Sequence, residues 1–192
     1  ESFRSYIVGP VAKGGATATS GASVVDGVFR FGQADGGTWT AASGRGTARY
    51  TGTVRFTGHA GALDLTLSNP VVETTGPGTG RLLADARSTG LDGSTFDRRG
   101  VAVAALVLGT PTTGADGAVT FRDAAATLTA DGSLAFVGFY PAGTALDPVT
   151  FTVGAKATAP GGGGTIGAPG DGSTGGSVDP ARATLSVSQA RP

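Results

Sequence analysis

The chain has 192 residues, a length that suits one domain, with 35 glycines, 10 prolines and a charged fraction of only 15%. Its 14 basic residues balance 14 acidic ones, so nothing in the charge suggests a surface for nucleic acid or an anionic membrane. The absence of cysteine rules out a disulfide, a thiolate ligand and a thiol nucleophile.

Methionine is absent too, which points to a processed chain or a piece of a longer one. No apolar run approaches the roughly 18 residues that cross a bilayer, and no signal-peptide pattern opens the sequence.

In chain order, residues 2–8 predict one or two helical turns, with Ser2 as N-cap and Phe3, Tyr6 and Ile7 on one face. Gly14–Gly21 reads as a turn or loop. The pattern then becomes β: Val24–Phe31, Gly37–Ala42 and Gly46–Gly58 are short runs separated by Gly, Asp and Ser. The clearest alternation lies at 49–59. Tyr50, Val54 and Phe56 share one face; Arg49, Thr51, Thr53, Arg55, Thr57 and His59 share the other. Gly58 offers a bulge that would re-aim His59.

Leu63, Leu65 and Leu67 mark the next strand, which Asn69-Pro70 should close. Gly80–Ala86 is a weaker strand. Gly100–Leu108, continuously apolar, predicts a central strand buried on both faces. Ala118–Phe121, Ala124–Thr129, Leu134–Val137 and Pro148–Val153 follow, with Asp116-Gly117 and Asp131-Gly132 as turn pairs. About ten short strands at this spacing indicate an all-β, antiparallel sandwich-like domain with a short N-terminal helix, spanning residues 1–154. Residues 155–192 have the Gly/Pro-rich composition of a linker or tail, within which Ala183–Val187 could form an edge strand.

Candidate chemistry is sparse. His59 is the only histidine and stands close to two glycines, Gly58 and Gly61; a lone histidine is more often an ordinary surface residue. Of three tyrosines, Tyr50 fits the core by alternation and Tyr140 ends an apolar strand. Tyr6 is the least explained, because it precedes the sheet. There is no Gly-x-Ser-x-Gly elbow, no phosphate loop and no calcium-loop spacing, and the sequence does not read as an enzyme.

Three separated segments carry a family resemblance: Ser2-Phe3-Arg4-Ser5-Tyr6, Val54-Arg55-Phe56-Thr57-Gly58-His59, and Phe136-Val137-Gly138-Phe139-Tyr140-Pro141-Ala142-Gly143-Thr144 with Leu146-Asp147-Pro148-Val149 behind it. In this order they resemble the HtaA domain, a family of haem-binding cell-surface domains of actinobacteria, over roughly residues 1–154. The tryptophan that usually precedes the first motif is not present.

The resemblance implies a haem-uptake module, exported to the cell surface, that holds ferric haem b and passes it to haem-donor or haem-acceptor proteins. Tyr6 would then ligate the iron as phenolate, a hard anion with precedent as a haem ligand, and His59 would support it by a hydrogen bond. Phe56, Phe136, Phe139 and Tyr140 are candidate walls for the porphyrin, each equally well read as plain core. Arg4 and Arg55 are candidate partners for the propionates. An exposed cofactor would also allow a haem-mediated dimer. The alternative from another class is an adhesive or structural β-sandwich surface module that binds protein or glycan and carries no cofactor.

Overall fold

The computed structural model describes residues 7–154 and the short strand 183–185. The predicted start of the N-terminal helix at residues 2–6 and the predicted linker at 155–182 and 186–192 lie outside the described residues. Ile7 and Val8 are helical and lead into a turn at residues 9–12.

The strands are β1 (Gly15–Thr19), β2 (Ala22–Val25), β3 (Val28–Gln33), β4 (Thr38–Thr40), β5 (Arg45–Thr51), β6 (Thr53–Gly58), β7 (Leu63–Gly76), β8 (Thr79–Thr89), β9 (Thr95–Val107), β10 (Thr112–Thr113), β11 (Val119–Leu128), β12 (Ala145–Val153) and β13 (Ala183–Leu185). A 3-10 turn, His59–Gly61, joins β6 to β7, and a helix, α1 (Ala130–Ala135), follows β11. All pairings are antiparallel, as the alternation predicts. They form one sheet in the order β1-β6-β7-β8-β9-β11-β12-β13-β3-β5-β4. Because β5 also pairs with β7 along Arg45–Arg49, the sheet curls back around a single core.

That core takes about one residue in two from the long strands β5–β8 and β11. Phe29, Phe31, Tyr50, Val54, Phe56 and Phe151 are among its buried side chains, which places the 49–56 alternation on the face expected of it. Tyr50 closes the curl from inside. Its hydroxyl donates to the Thr152 carbonyl and accepts from the Thr152 N–H, both at 3.2 Å, tying β5 to β12. Burial pushes the Tyr50 phenol well above its ordinary value.

Five expectations are corrected. Residues 15–19 are strand rather than loop: β1 pairs with β6 from Gly15↔Thr57 to Thr19↔Thr53. Its inward positions are only Ala16 and Ala18, too small to give an apolar alternation. Asn69-Pro70 does not end β7. Asn69 takes φ 50° and the register shifts between Ser68 and Val71, so a bulge absorbs the proline, which has no N–H to give the ladder.

β9 is central, paired with β8 and β11, but is not buried on both faces: Val107 is 67% exposed. Only the inner face of a single curled sheet has a core to meet. Finally, Leu134–Val137 is not a strand and Asp131-Gly132 is not a hairpin turn; both belong to α1 and its exit.

Candidate functional site

The end of the sheet where β6 and β8 stop and β7 and β9 begin gathers several of the residues singled out in the sequence. Gly58 pairs regularly with Leu63 and is extended (φ −153°, ψ 171°), so it does not bulge. The turn that redirects the chain starts at His59 itself. His59, Ala60 and Gly61 have φ of 51°, 56° and 94°, and two of the three carry a Cβ that disfavours this region. Strain of this kind persists only where surrounding contacts hold it, and it concentrates at functional sites.

Those contacts come from the N-terminal turn. His59 donates its backbone N–H to the Ala12 carbonyl at 2.7 Å, and Gly14 donates to the Ile7 carbonyl at 2.7 Å. Ile7 and Ala12 are completely buried. A Cβ on Gly58 would stand 3.3 Å from the Ile7 Cδ1 and 3.2 Å from the Ala12 Cβ. The glycine before the only histidine is therefore where the N-terminal segment seats on the inner face of β6. Tyr6 and Arg4 lie outside the described residues.

A second segment reaches this end from α1. Thr129 caps that helix, its Oγ1 accepting from the Gly132 N–H at 2.9 Å. The same hydroxyl donates to the Ala102 carbonyl of β9, and the Thr129 N–H donates to the Val103 carbonyl at 3.0 Å. Helix and sheet touch so closely that a Cβ on Gly132 would fall 2.2 Å from the Val103 oxygen. Past the helix, Val137 turns with φ 47° and packs against Gly90 in the β8–β9 turn.

Phe136, Phe139 and Tyr140 come together here. Phe136 and Tyr140 meet edge-on with centroids 6.2 Å apart, and Phe139 and Tyr140 are tilted at 6.4 Å. Phe136 is buried; Phe139 and Tyr140 are half-buried. Phe56, by contrast, lies in the core, edge-on to Phe29 at 5.4 Å.

The two converging segments stand on strands separated by one neighbour. Gly58 pairs with Leu63, and Asp64 pairs with Thr89, so the ends of β6 and β8 lie roughly 10 Å apart. Among the large hydrophobic side chains left exposed are Val8 and Val11 of the N-terminal turn, Leu91 of the β8–β9 turn and Leu134 of α1, each more than half exposed.

Arg55 is on the opposite, outer face. Its guanidinium meets the Asp64 carboxylate at 2.6 Å and 3.0 Å, and that hydrogen bond, helped by the carboxylate's charge, holds the arginine above its ordinary value. Among the described residues no group of three or more His, Asp or Glu is placed to hold a bare metal ion. An apolar cleft of about 520 Å³ lies near the opposite end of β7, between Trp39, Leu108 and Phe121, and holds no titratable side chain.

Three residues that the sequence reading passed over share the inner face at this end. Ser88 pairs with Phe96, and Ala86 pairs with Arg98. Opposed residues of an antiparallel pair project to the same side, so Phe96 and Arg98 follow the buried Ser88 and Ala86 inward. Ser88 Oγ is enclosed with no hydrogen-bond partner among the described residues, and Arg98 stacks on the Phe96 ring at 5.2 Å. Nothing in local composition marks these positions. Only the register reveals them.

These surroundings suit a flat apolar molecule with a polar edge: half-buried aromatic rings, exposed aliphatic side chains, one imidazole and an unpartnered buried hydroxyl.

A protein-family model described as Htaa matches residues 1–152. Among solved structures, the C-terminal domain of HtaA from Corynebacterium glutamicum is 30% identical, with a TM-score of 0.71 over 79% of this chain and 88% of that one. The N-terminal domain of the same HtaA is 27% identical, with a TM-score of 0.65 over 97% and 92%. The haem-binding protein HtaB from Corynebacterium glutamicum, 23% identical with a TM-score of 0.57 over 78% and 86%, shares the fold. The comparison with curated proteins gives no match.

Proposed function

The chain belongs to the HtaA family, and from that membership we propose that it is a haem-binding module of a cell-surface uptake system, one that captures ferric haem b as cargo and passes it to a partner protein. The observation that carries this reading is the strained His59 turn, pinned by backbone bonds to the N-terminal segment that bears Tyr6. The family match and the likeness to HtaB, which binds haem, support the ligand.

In this reading the role is binding rather than catalysis. Tyr6 supplies a phenolate to the iron. A free phenol ionises near pH 10, so the positive charge of ferric iron must favour the anion at neutral pH. His59 donates a hydrogen bond that orients the phenolate and tempers its basicity. Phe139 and Tyr140, half-buried beside the exposed Leu134, shield one side of the macrocycle. A single protein ligand on one face suits release to a partner.

The test is a hemin titration of the purified protein followed by visible absorption. Saturable one-to-one binding with a ferric tyrosinate spectrum is expected, lost in Tyr6→Phe and weakened roughly tenfold or more in His59→Ala. Saturation unchanged in Tyr6→Phe would discard the ligand and keep the haem. No saturable binding would discard the haem reading.

A further inference from the structure

A molecule of haem carries two carboxylates, and an apolar site that holds it needs a cation where those carboxylates lie. On the outer face Arg55 is ion-paired with Asp64 and Arg81 with Glu73, and Arg87 stands opposite Asp97. Arg98 differs. Register places it opposite the buried Ala86, hence on the inner face, yet its side chain is exposed.

Its guanidinium lies 5.2 Å from the Phe96 ring centroid, an arrangement that fixes a long side chain without consuming its hydrogen-bond donors. Beside Phe96 the Ser88 hydroxyl is buried and unpartnered, a condition that ordinarily costs about 1–3 kcal/mol and calls for an explanation. Val137, at the head of the aromatic cluster, packs against Gly90, two residues beyond Ser88 on the same face. Charge, aromatic platform and hydroxyl therefore share the inner face of the hairpin whose turn meets Val137.

Resting on the haem reading above, we propose that Arg98, carried on Phe96, is the carboxylate-binding residue of this site, with Ser88 beneath it as an auxiliary hydrogen-bond donor. Arg98 would form charge-assisted hydrogen bonds to a propionate. It is a positioning residue: it sets which edge of the molecule faces the β8–β9 hairpin and leaves iron ligation to other groups.

The test compares hemin with hemin dimethyl ester, which keeps the iron and ring but has no free carboxylate. The wild-type protein should bind the acid about tenfold or more tighter than the ester, a preference that narrows as salt is raised. Arg98→Gln should lose most of that preference while its ester affinity stays as in wild type, and Arg98→Lys should recover part of it. Arg98 is exposed, so both variants should melt like wild type. If the wild type binds both compounds equally, or Arg98→Gln keeps the wild-type ratio, the assignment of Arg98 is overturned and haem binding stands. If the wild type binds neither, the haem reading fails and takes this inference with it.

Discussion

Tyr50 sits where burial opposes ionisation and outweighs the backbone hydrogen bond from Thr152, which favours the phenolate. Its folded pKa is raised above the unfolded value near 10, so the stability it confers is complete below about pH 10 and is lost as pH rises toward the folded value. Tyr50→Phe should lower stability at pH 7 by about 1–3 kcal/mol, because the buried Thr152 N–H loses its partner. It should also flatten the alkaline decline, which denaturant titrations at pH 7 and pH 11 would compare. At His59 the backbone gives a second test. Left-handed φ costs a residue with a Cβ about 1–2 kcal/mol, so His59→Gly should be more stable than His59→Ala by roughly 1 kcal/mol, while both lose hemin affinity. Equal melting temperatures would show that the turn is not strained. The β8–β9 turn adds a smaller acid-side term. The Ser94 hydroxyl and N–H hold the Asp92 carboxyl below its usual range, so its contribution is present above the ordinary carboxylate pKa and lost as pH falls through the lowered value.

At the scale of elements, α1 shows how local signals mislead. Asp131-Gly132 has the composition of a hairpin turn, and glycine inside a helix costs about 1 kcal/mol relative to alanine. Here glycine is required because the Val103 carbonyl occupies the place of its Cβ. Gly132→Ala should therefore destabilise the domain despite alanine's better helix propensity, and Thr129→Ala should cost about 1–2 kcal/mol by removing the cap. Thermal melts of both decide this; a Gly132→Ala variant as stable as wild type would mean that the helix can lift from β9. The strands were legible where large apolar residues alternate with polar ones, as at Tyr50–Phe56 and Leu63–Leu67. β1 was not, because alanine and glycine carry little contrast. Of the site, His59 was legible as the only histidine and the 136–140 segment by its aromatics. Ser88, Phe96 and Arg98 were not, because their shared face exists only once β8 and β9 are in register.

For the whole molecule, closure depends on few rungs in one place. Among the described residues β13 meets β12 through Thr150↔Thr184 and β3 through three residue pairs. A chain ending at residue 154 should keep the β5–β7 ladder and the Tyr50–Thr152 bond, but expose facing edges on β3 and β12. Amide exchange at alternate residues of Phe29–Phe31 should quicken and self-association should rise; unchanged exchange would show that β13 does not contribute.

The Tyr50–Thr152 bond also sets a clock. It joins positions 102 apart in the chain, so although β1–β7 pair among themselves, the curl cannot shut onto β12 until this distant contact forms. Closing long loops ahead of any compensating contact makes an all-β chain slow, with refolding on the order of milliseconds to seconds. During that interval the apolar faces of β7, β8 and β9 stand open, joined only by their own local hairpins. A newly made chain is therefore most prone to wrong partners before Tyr50 finds β12, and Tyr50→Phe, which removes a late contact, should hasten unfolding more than it delays refolding.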